Sequence, residues 1–542
     1  MKVYGIYLAY PPPVDLRAEG LGRLLAEFLK AANRRGDVRF VIACPSWSRK
    51  NLQQLFDEAG ISPEFFDIIG PETKPVLLGL YDFYKKFKDR KREKRSSRLL
   101  TRVKNLFERA RAVAEHKLAT TRSSLILAAL VIVTLPFTLI GAIIYPVWVF
   151  LRLIRTLFGK YQFRSARLRK ARLALSGLKA DLPSASGKWR IFQFMENGEA
   201  KLISDHANRR EDIRAWYSPA AFWPQFNSIA APRLICVPDI VLSNFPVSFS
   251  SVSGNRFLEV FNSVEKTIEQ AEHFVTYSDD VKYTTLVHRY HVNPDAVSVV
   301  RHGTNRLDEL ISVSAPSQGT DMQDALCENL FRGALYKAIG NPGAVNFHNG
   351  VRFIFYASQF RPNKNVISLL RAYEYLLKRR YIGYKLVLTG NPKDIPEVAR
   401  FISDHNLQND VLCLHGLSAR ELAACYRLAD LAVNPSLSEG GCPFTLTEAL
   451  SVGTPVVMAK IAVTEEVVTD PDMRDLMLFD PYDWKAIADK IEWALQNKEL
   501  LLERQLPLYN KLAERTWQNV VDEHVAILDR ISSEPRQSSS PA

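Results

Sequence analysis

Cysteine is scarce in this 542-residue chain: six are present, Cys44, Cys236, Cys327, Cys413, Cys425 and Cys442, and no two stand at a paired spacing. That scatter argues against a disulfide framework and against a zinc site, and it suits a reducing compartment. No leader segment is expected, since MKVYGIYLAY reads as a β-strand running into a proline-rich loop. No repeat of short period is present. The sole Asp-x-Asp pattern, Asp470-Pro-Asp472, reads as a turn rather than a metal site.

Charge is missing in two places. Residues 152–179 carry nine Lys/Arg and no acid, and residues 123–151, SSLILAALVIVTLPFTLIGAIIYPVWVFL, carry no charge at all. With residues 85–122, where 15 Lys/Arg face 4 Asp/Glu, the two basic arms hold more than the whole net charge of +13. The rest of the chain is therefore acidic, a globular body with one basic appendage. The uncharged run is long enough for a membrane helix, but basic flanks on both sides keep both ends on one face. Pro136, Gly141 and Pro146 offer places to turn back, and two full passes need about 40 apolar residues. A re-entrant or monotopic insertion at the cytoplasmic face of a membrane, in a bacterium the inner membrane, is the expectation, with anionic lipids meeting the arms. Nucleic acid is not expected as a partner, because no aromatic platform accompanies the basic residues.

Elsewhere short apolar runs alternate with helical stretches, the pattern of parallel α/β sheets. Strands are predicted at 2–8, 38–45, 66–70, 189–196, 233–240, 273–278 and 296–303, then in the stretches opening at 351 and at 384. The predicted domains are 1–320, interrupted by the 81–182 insertion, and 321–507. A helix over 508–532, containing Trp517, is predicted to return to the first domain, with a polar tail at 533–542.

The stretch NPSLSEGGCPFTLTEALSVGTPVV (434–457) carries the chemistry. An apolar strand feeds a small-residue loop holding Glu439. A helix with Glu448 follows, and then a strand. Such a loop lies where α/β sheets bind ligands, and two carboxylates there suit sugar and ribose hydroxyls. The stretch resembles the signature of the retaining glycosyltransferases of family 4, which have the GT-B fold of two doubly wound Rossmann-like domains facing a cleft. The family's two Glu usually have seven residues between them; here there are eight, with EALSVGTPVV intact behind. The likeness is clear over roughly 350–485, looser over 1–80 and 189–305, and absent from the insertion.

The resemblance implies roles residue by residue. Glu448 would bind the donor ribose and Glu439 the donor sugar near its anomeric carbon. Lys364, with Arg361 standing two residues beyond the family's Arg position (here Gln359), would neutralise the leaving diphosphate. The loop Gly440, Gly441 and Cys442 would assist through backbone N–H groups, with Gly390, Gly22 and Gly303 also on the donor side. Asp239, in VPDIVLSNFP, and His302, in VVRHGTN, match positions near the acceptor or sugar, with an Asx-turn and a hinge histidine as the other readings. The activity implied is that of a membrane-associated, retaining, metal-independent hexosyltransferase. It would use a nucleotide-diphosphate sugar and no further cofactor. Attack from the leaving-group face through an oxocarbenium-like state would retain configuration. The inserted segment points to a lipid-linked saccharide or glycolipid acceptor, as in lipopolysaccharide and other cell-surface polysaccharide synthesis. A GT-B nucleotide-sugar epimerase and an inactive membrane scaffold are the alternatives.

Overall fold

Among the described residues, thirteen short strands form two separate parallel sheets, one from each half of the chain. The computed structural model describes residues 1–12, 14, 16, 20–79, 187–253, 256–313, 319–339 and 351–534. The predicted insertion, 81–182 with its apolar run at 123–151, therefore lies entirely outside the described residues. Among the described residues no helix is long and apolar enough to cross a membrane.

The first sheet is built from β1 (Lys2–Tyr7), β2 (Val38–Ala43), β3 (Phe66–Ile69), β4 (Trp216–Ser218), β5 (Arg233–Cys236), β6 (His273–Thr276) and β7 (Val297–Val299). Its order, β3-β2-β1-β4-β5-β6-β7, reverses direction between β1 and β4, which leaves a crevice at the carboxyl ends there. Both faces are covered. Along β1, Tyr4 and Ile6 face one core and Tyr7 the other, the period-two alternation of a strand buried on both sides. Gly5 has no Cβ because the Trp216 ring on β4 occupies that space, with Cε3 2.1 Å from where a Cβ would lie.

The second sheet holds β8 (Phe353–Tyr356), β9 (Lys385–Leu388), β10 (Val411–Cys413), β11 (Leu431–Asn434), β12 (Val456–Ala459) and β13 (Leu478–Phe479), in the order β10-β9-β8-β11-β12-β13. β8, β11 and β12 are buried throughout, as central strands flanked by helices on both faces must be. The Asn-Pro-Ser turn follows β11, beside β8, so the motif starts at a second topological switch.

Two sequence expectations are corrected. The stretch 189–196 is not a strand but lies in a helix, Gly187–Asn208. Its apolar run continues at helical spacing through Met195, Ala200, Ile203 and Ala207, all buried, and that longer pattern overrides the strand-like start. The strand that fills the sheet instead is β4, three residues long. The terminal helix predicted over 508–532 is two helices, Lys498–Ala513 and Trp517–Ser533. The break is set by Thr516, whose hydroxyl accepts the Asn519 N–H while Asn519 Oδ1 accepts the Thr516 N–H at 2.9 Å. This capping box starts a new helix.

Only the second of these helices joins the first domain. Its Trp517, Val520, Val521, Val525, Leu528 and Ile531 pack into the core formed by β1, β2 and the helix Gly20–Arg35. Asp529 holds it there, accepting from Lys2 Nζ and Tyr4 Oη, each at 2.6 Å. Leu307 and Ile311 already pack in the second core, so the chain changes domain ahead of residue 320.

Candidate active site between the two domains

Two loops at the carboxyl edge of the second sheet are knitted together by Asn363. Its Nδ2 donates to the Ser438 carbonyl at 3.1 Å, and its own carbonyl accepts the Leu437 N–H at 2.8 Å. Tyr356 Oη, at the end of β8, donates to the Lys364 carbonyl and bonds Ser436 Oγ at 3.0 Å. Asn365, left-handed at φ 53°, then turns the chain into the helix Val366–Arg379. The result sets Lys364 Nζ 2.6 Å from Glu439 Oε1, both side chains about four-fifths buried. Desolvation works against the charge on Lys364, but Glu439, Tyr356 and Asp239 outweigh it and raise its pKa above the ordinary value. Arg361 is exposed at the mouth, its Nη2 donating to Gln359 Oε1 at 2.8 Å.

The loop after Glu439 presses on the first domain. A Cβ on Gly440 would lie 1.8 Å from the Pro238 carbonyl oxygen, and one on Gly441 would lie 2.7 Å from Tyr277 Cβ. Ser278 Oγ donates to the Gly440 carbonyl at 2.9 Å. Nearby, Glu466 accepts the backbone N–H of Asp279 and of Asp280, at 3.1 and 2.6 Å. These contacts bring Asp239 into the same field as the basic pair. Desolvation there pushes its carboxyl above the ordinary range; Lys364 and Arg361 pull it down, and Glu439 pushes it further up.

Glu448 lies in the helix Phe444–Ser451 with its side chain 2% exposed. Its Oε1 accepts from Arg23 Nη1 at 3.0 Å and from Asn305 Nδ2 at 3.1 Å. Burial and this carboxylate together raise the pKa of the neighbouring Tyr426 hydroxyl. Neither Arg23 nor Asn305 was singled out by sequence. The available signals were weak: Arg23 directly follows Gly22, and Asn305 closes the VVRHGTN run.

The other sequence candidates fall into two sets. Glu439, Lys364, Arg361, Asp239 and the Gly440–Cys442 loop come together at the cleft. The Cys442 thiol is pushed up to about 12 by desolvation. Gly22, Gly303 and Gly390, predicted on the donor side, have packing neighbours that account for each of them. A Cβ on Gly22 would meet the Leu16 carbonyl at 1.8 Å, and one on Gly303 the Trp517 nitrogen at 2.7 Å. Gly390 faces the Phe360 ring. Asp470, of the Asp-x-Asp pattern, accepts the Asp472 N–H at 3.1 Å and starts the helix Pro471–Met477.

His302 lies among the rings of Tyr277, Phe444 and Trp517, tilted against each, with centroids 3.9, 4.8 and 6.3 Å away. Desolvation lowers its pKa from 6.5 to about 3, with His524 and Arg515 adding to the effect. The unfolded chain thus binds a proton that the folded chain refuses, so stability is lost as pH falls below about 6.5. His302→Phe is expected to lose less stability than wild type between about pH 7 and about pH 5. Urea midpoints at the two pH values check this; equal losses in both proteins would discount the histidine.

Comparison with known proteins adds the family. Residues 341–515 match the family model described as Glycosyl transferases group 1. The second domain is a group 1 glycosyl transferase domain. A mannosyltransferase of Mycolicibacterium hassiacum, named MMP alpha-(1->4)-mannosyltransferase, is 32% identical over 187 residues, which is 33% of this chain and 43% of that protein. The O-antigen chain mannosyltransferase RfbU of Salmonella typhimurium is 26% identical over 268 residues, 48% of this chain and 61% of that one. The matches thus span less than two thirds of these relatives' lengths. Anabaena HepE, solved in complex with UDP and glucose, superposes with a TM-score of 0.52 at 12% identity, covering 98% of this chain and 100% of that one. The fold is GT-B, two parallel-sheet Rossmann-like domains. Arg361, Lys364, Gly390, Glu439 and Glu448 belong to the group 1 domain, whereas Arg23, Asp239, His302 and Asn305 come to the cleft from the part of the chain ahead of it.

Proposed function

We propose that the protein is a retaining glycosyltransferase that moves a hexose from a nucleotide-diphosphate sugar onto a lipid-linked saccharide or glycolipid, in cell-surface polysaccharide synthesis. The observation that carries this reading is the 2.6 Å Lys364–Glu439 pair on the cleft edge of the group 1 domain, opposite Asp239 of the first domain. In this reading Glu448 receives the ribose hydroxyls and Glu439 those of the donor sugar. Lys364 and Arg361, with N–H groups of the Gly440–Cys442 loop, stabilise charge that grows on the diphosphate as the glycosidic bond breaks. The departing phosphate takes the acceptor's proton, and attack from its own side retains the anomeric configuration. No metal or other cofactor is invoked.

The uncharged run at 123–151 and the basic arms around it support a membrane-bound acceptor and work at the cytoplasmic face. The O-antigen and mannosyl names of the relatives agree with that class of product.

Donor consumption by detergent-solubilised protein tests the reading, with UDP- and GDP-sugars and a polyprenyl-linked acceptor extract. Acceptor-dependent release of one nucleotide is expected, lower by about tenfold or more in Glu448→Ala. If no donor is consumed, the protein is not a transferase of this class and the scaffold reading takes its place.

A further inference from the structure

Glu448 poses a problem that its assigned role does not solve. A carboxylate meant for a ligand's hydroxyls has a side chain only 2% exposed. It is covered from the opposite domain, by a side chain separated from it by 425 residues of sequence. Arg23 stands in the first turn of the helix Gly20–Arg35, which begins at the crevice beside β1. Gly22 allows that turn to lie against the Leu16 carbonyl, where a Cβ would come within 1.8 Å. The guanidinium is thereby aimed out of the first domain and into the second. The partnership is one-sided: Glu448 is buried, while the Arg23 side chain is 41% exposed. Breaking the contact returns the arginine to water at little cost and leaves a buried anion beside the Asn305 amide and the Tyr426 hydroxyl. Asn305 is itself tied to the domain crossing, its Oδ1 accepting from Trp517 Nε1 at 3.1 Å.

Arg23 and Asn305 both donate to Oε1, so the carboxylate is anchored through that oxygen, with the Tyr426 hydroxyl beside it. A carboxylate held this way presents a pre-set acceptor, and pre-setting lowers the cost of binding. The hold exists only while the domains touch, because Arg23 and Asn305 both stand ahead of the group 1 domain that carries Glu448.

We propose that Arg23 is a positioning residue for the nucleotide: it locks the carboxylate of Glu448 when the cleft shuts, and so slows release of a bound nucleoside diphosphate. The inference rests on the reading of Glu448 as the ribose acceptor. It ties occupancy of the donor site in the group 1 domain to the position of the first domain through the half-exposed Arg23 side chain.

Binding of UDP and GDP to the full chain tests it, by calorimetry for affinity and by stopped flow for release. Wild type is compared with Arg23→Ala, Arg23→Lys, Glu448→Gln and the double variant Arg23→Ala/Glu448→Gln. Arg23→Ala is expected to weaken binding roughly tenfold, mostly through faster release, and Arg23→Lys to recover most of it. The double variant should bind no more weakly than Glu448→Gln alone, since both remove one interaction. A merely structural arginine would lower the melting temperature without this rescue and with additive losses. In the ligand-free protein, hydrogen exchange over residues 440–452 should rise in Arg23→Ala and not in Arg23→Lys.

Binding by Arg23→Ala as tight as wild type, or additive losses in the double variant, would overturn the inference while leaving the transferase reading in place. Failure of wild type to bind either nucleotide would remove both.

Discussion

Lys364→Ala is expected to lower donor turnover by on the order of a hundredfold or more, with a smaller change in KM. The lysine reaches the inside of the cleft edge, 2.6 Å from Glu439 and about four-fifths buried. Diphosphate gains charge as it leaves, so the interaction strengthens along the reaction and belongs in the rate of the bound complex. A second effect adds to the first. Glu439, 18% exposed, loses its salt-bridge partner, and the desolvated carboxylate then disfavours the conformation that faces the donor sugar. Arg361 cannot take over from the exposed rim, where it is engaged with Gln359. Initial rates over a range of donor concentration decide the matter. A turnover within about threefold of wild type would show that phosphate is neutralised elsewhere.

Gly440→Ala is expected to be nearly as damaging without unfolding the protein. The added methyl would lie 1.8 Å from the Pro238 oxygen and 2.6 Å from its carbon, and both atoms are backbone of the other domain. No rotamer relieves such a clash. Either the loop withdraws or the domains part, and each moves Glu439 relative to Asp239. A displacement near 1 Å at a reacting centre costs about a hundredfold in rate. Neither hydrophobic core is touched, so the unfolding free energy should stay within about 1 kcal/mol of wild type. Turnover, unfolding midpoints and the radius of gyration in solution together check this. Wild-type turnover would mean that the loop accommodates the methyl without cost.

The second domain was the more legible half in sequence. Its central strands hold short apolar runs such as FIFY and VVMA, and its motif marks where the carboxylates stand. The first domain was harder for physical reasons. A three-residue strand such as β4 has no periodicity to detect, and WRIFQFME looks like a strand until the pattern is followed to Asn208. In the site, Lys364 and Glu439 were named from motif spacing, but their pairing is tertiary, set by Asn363 and the Ser436–Ser438 loop. Arg23 and Asn305 could not be found that way, because what marks them is a partner 425 or 143 residues distant.

The return of the last helix changes how the molecule divides. Thr304 N–H donates to the Arg515 carbonyl at 3.0 Å, Arg515 Nε donates to the Arg301 carbonyl at 3.0 Å, and Gly303 lies flat against Trp517. The two crossings run side by side as one doubled strap rather than as two independent tethers. In topological terms the second domain is an insert, spliced between β7 and the helix Trp517–Ser533. It can be lifted out as one continuous piece of chain. The first cannot, because its core is completed only by the last segment of the described sequence, and bending between the halves must flex both strands of the strap at once.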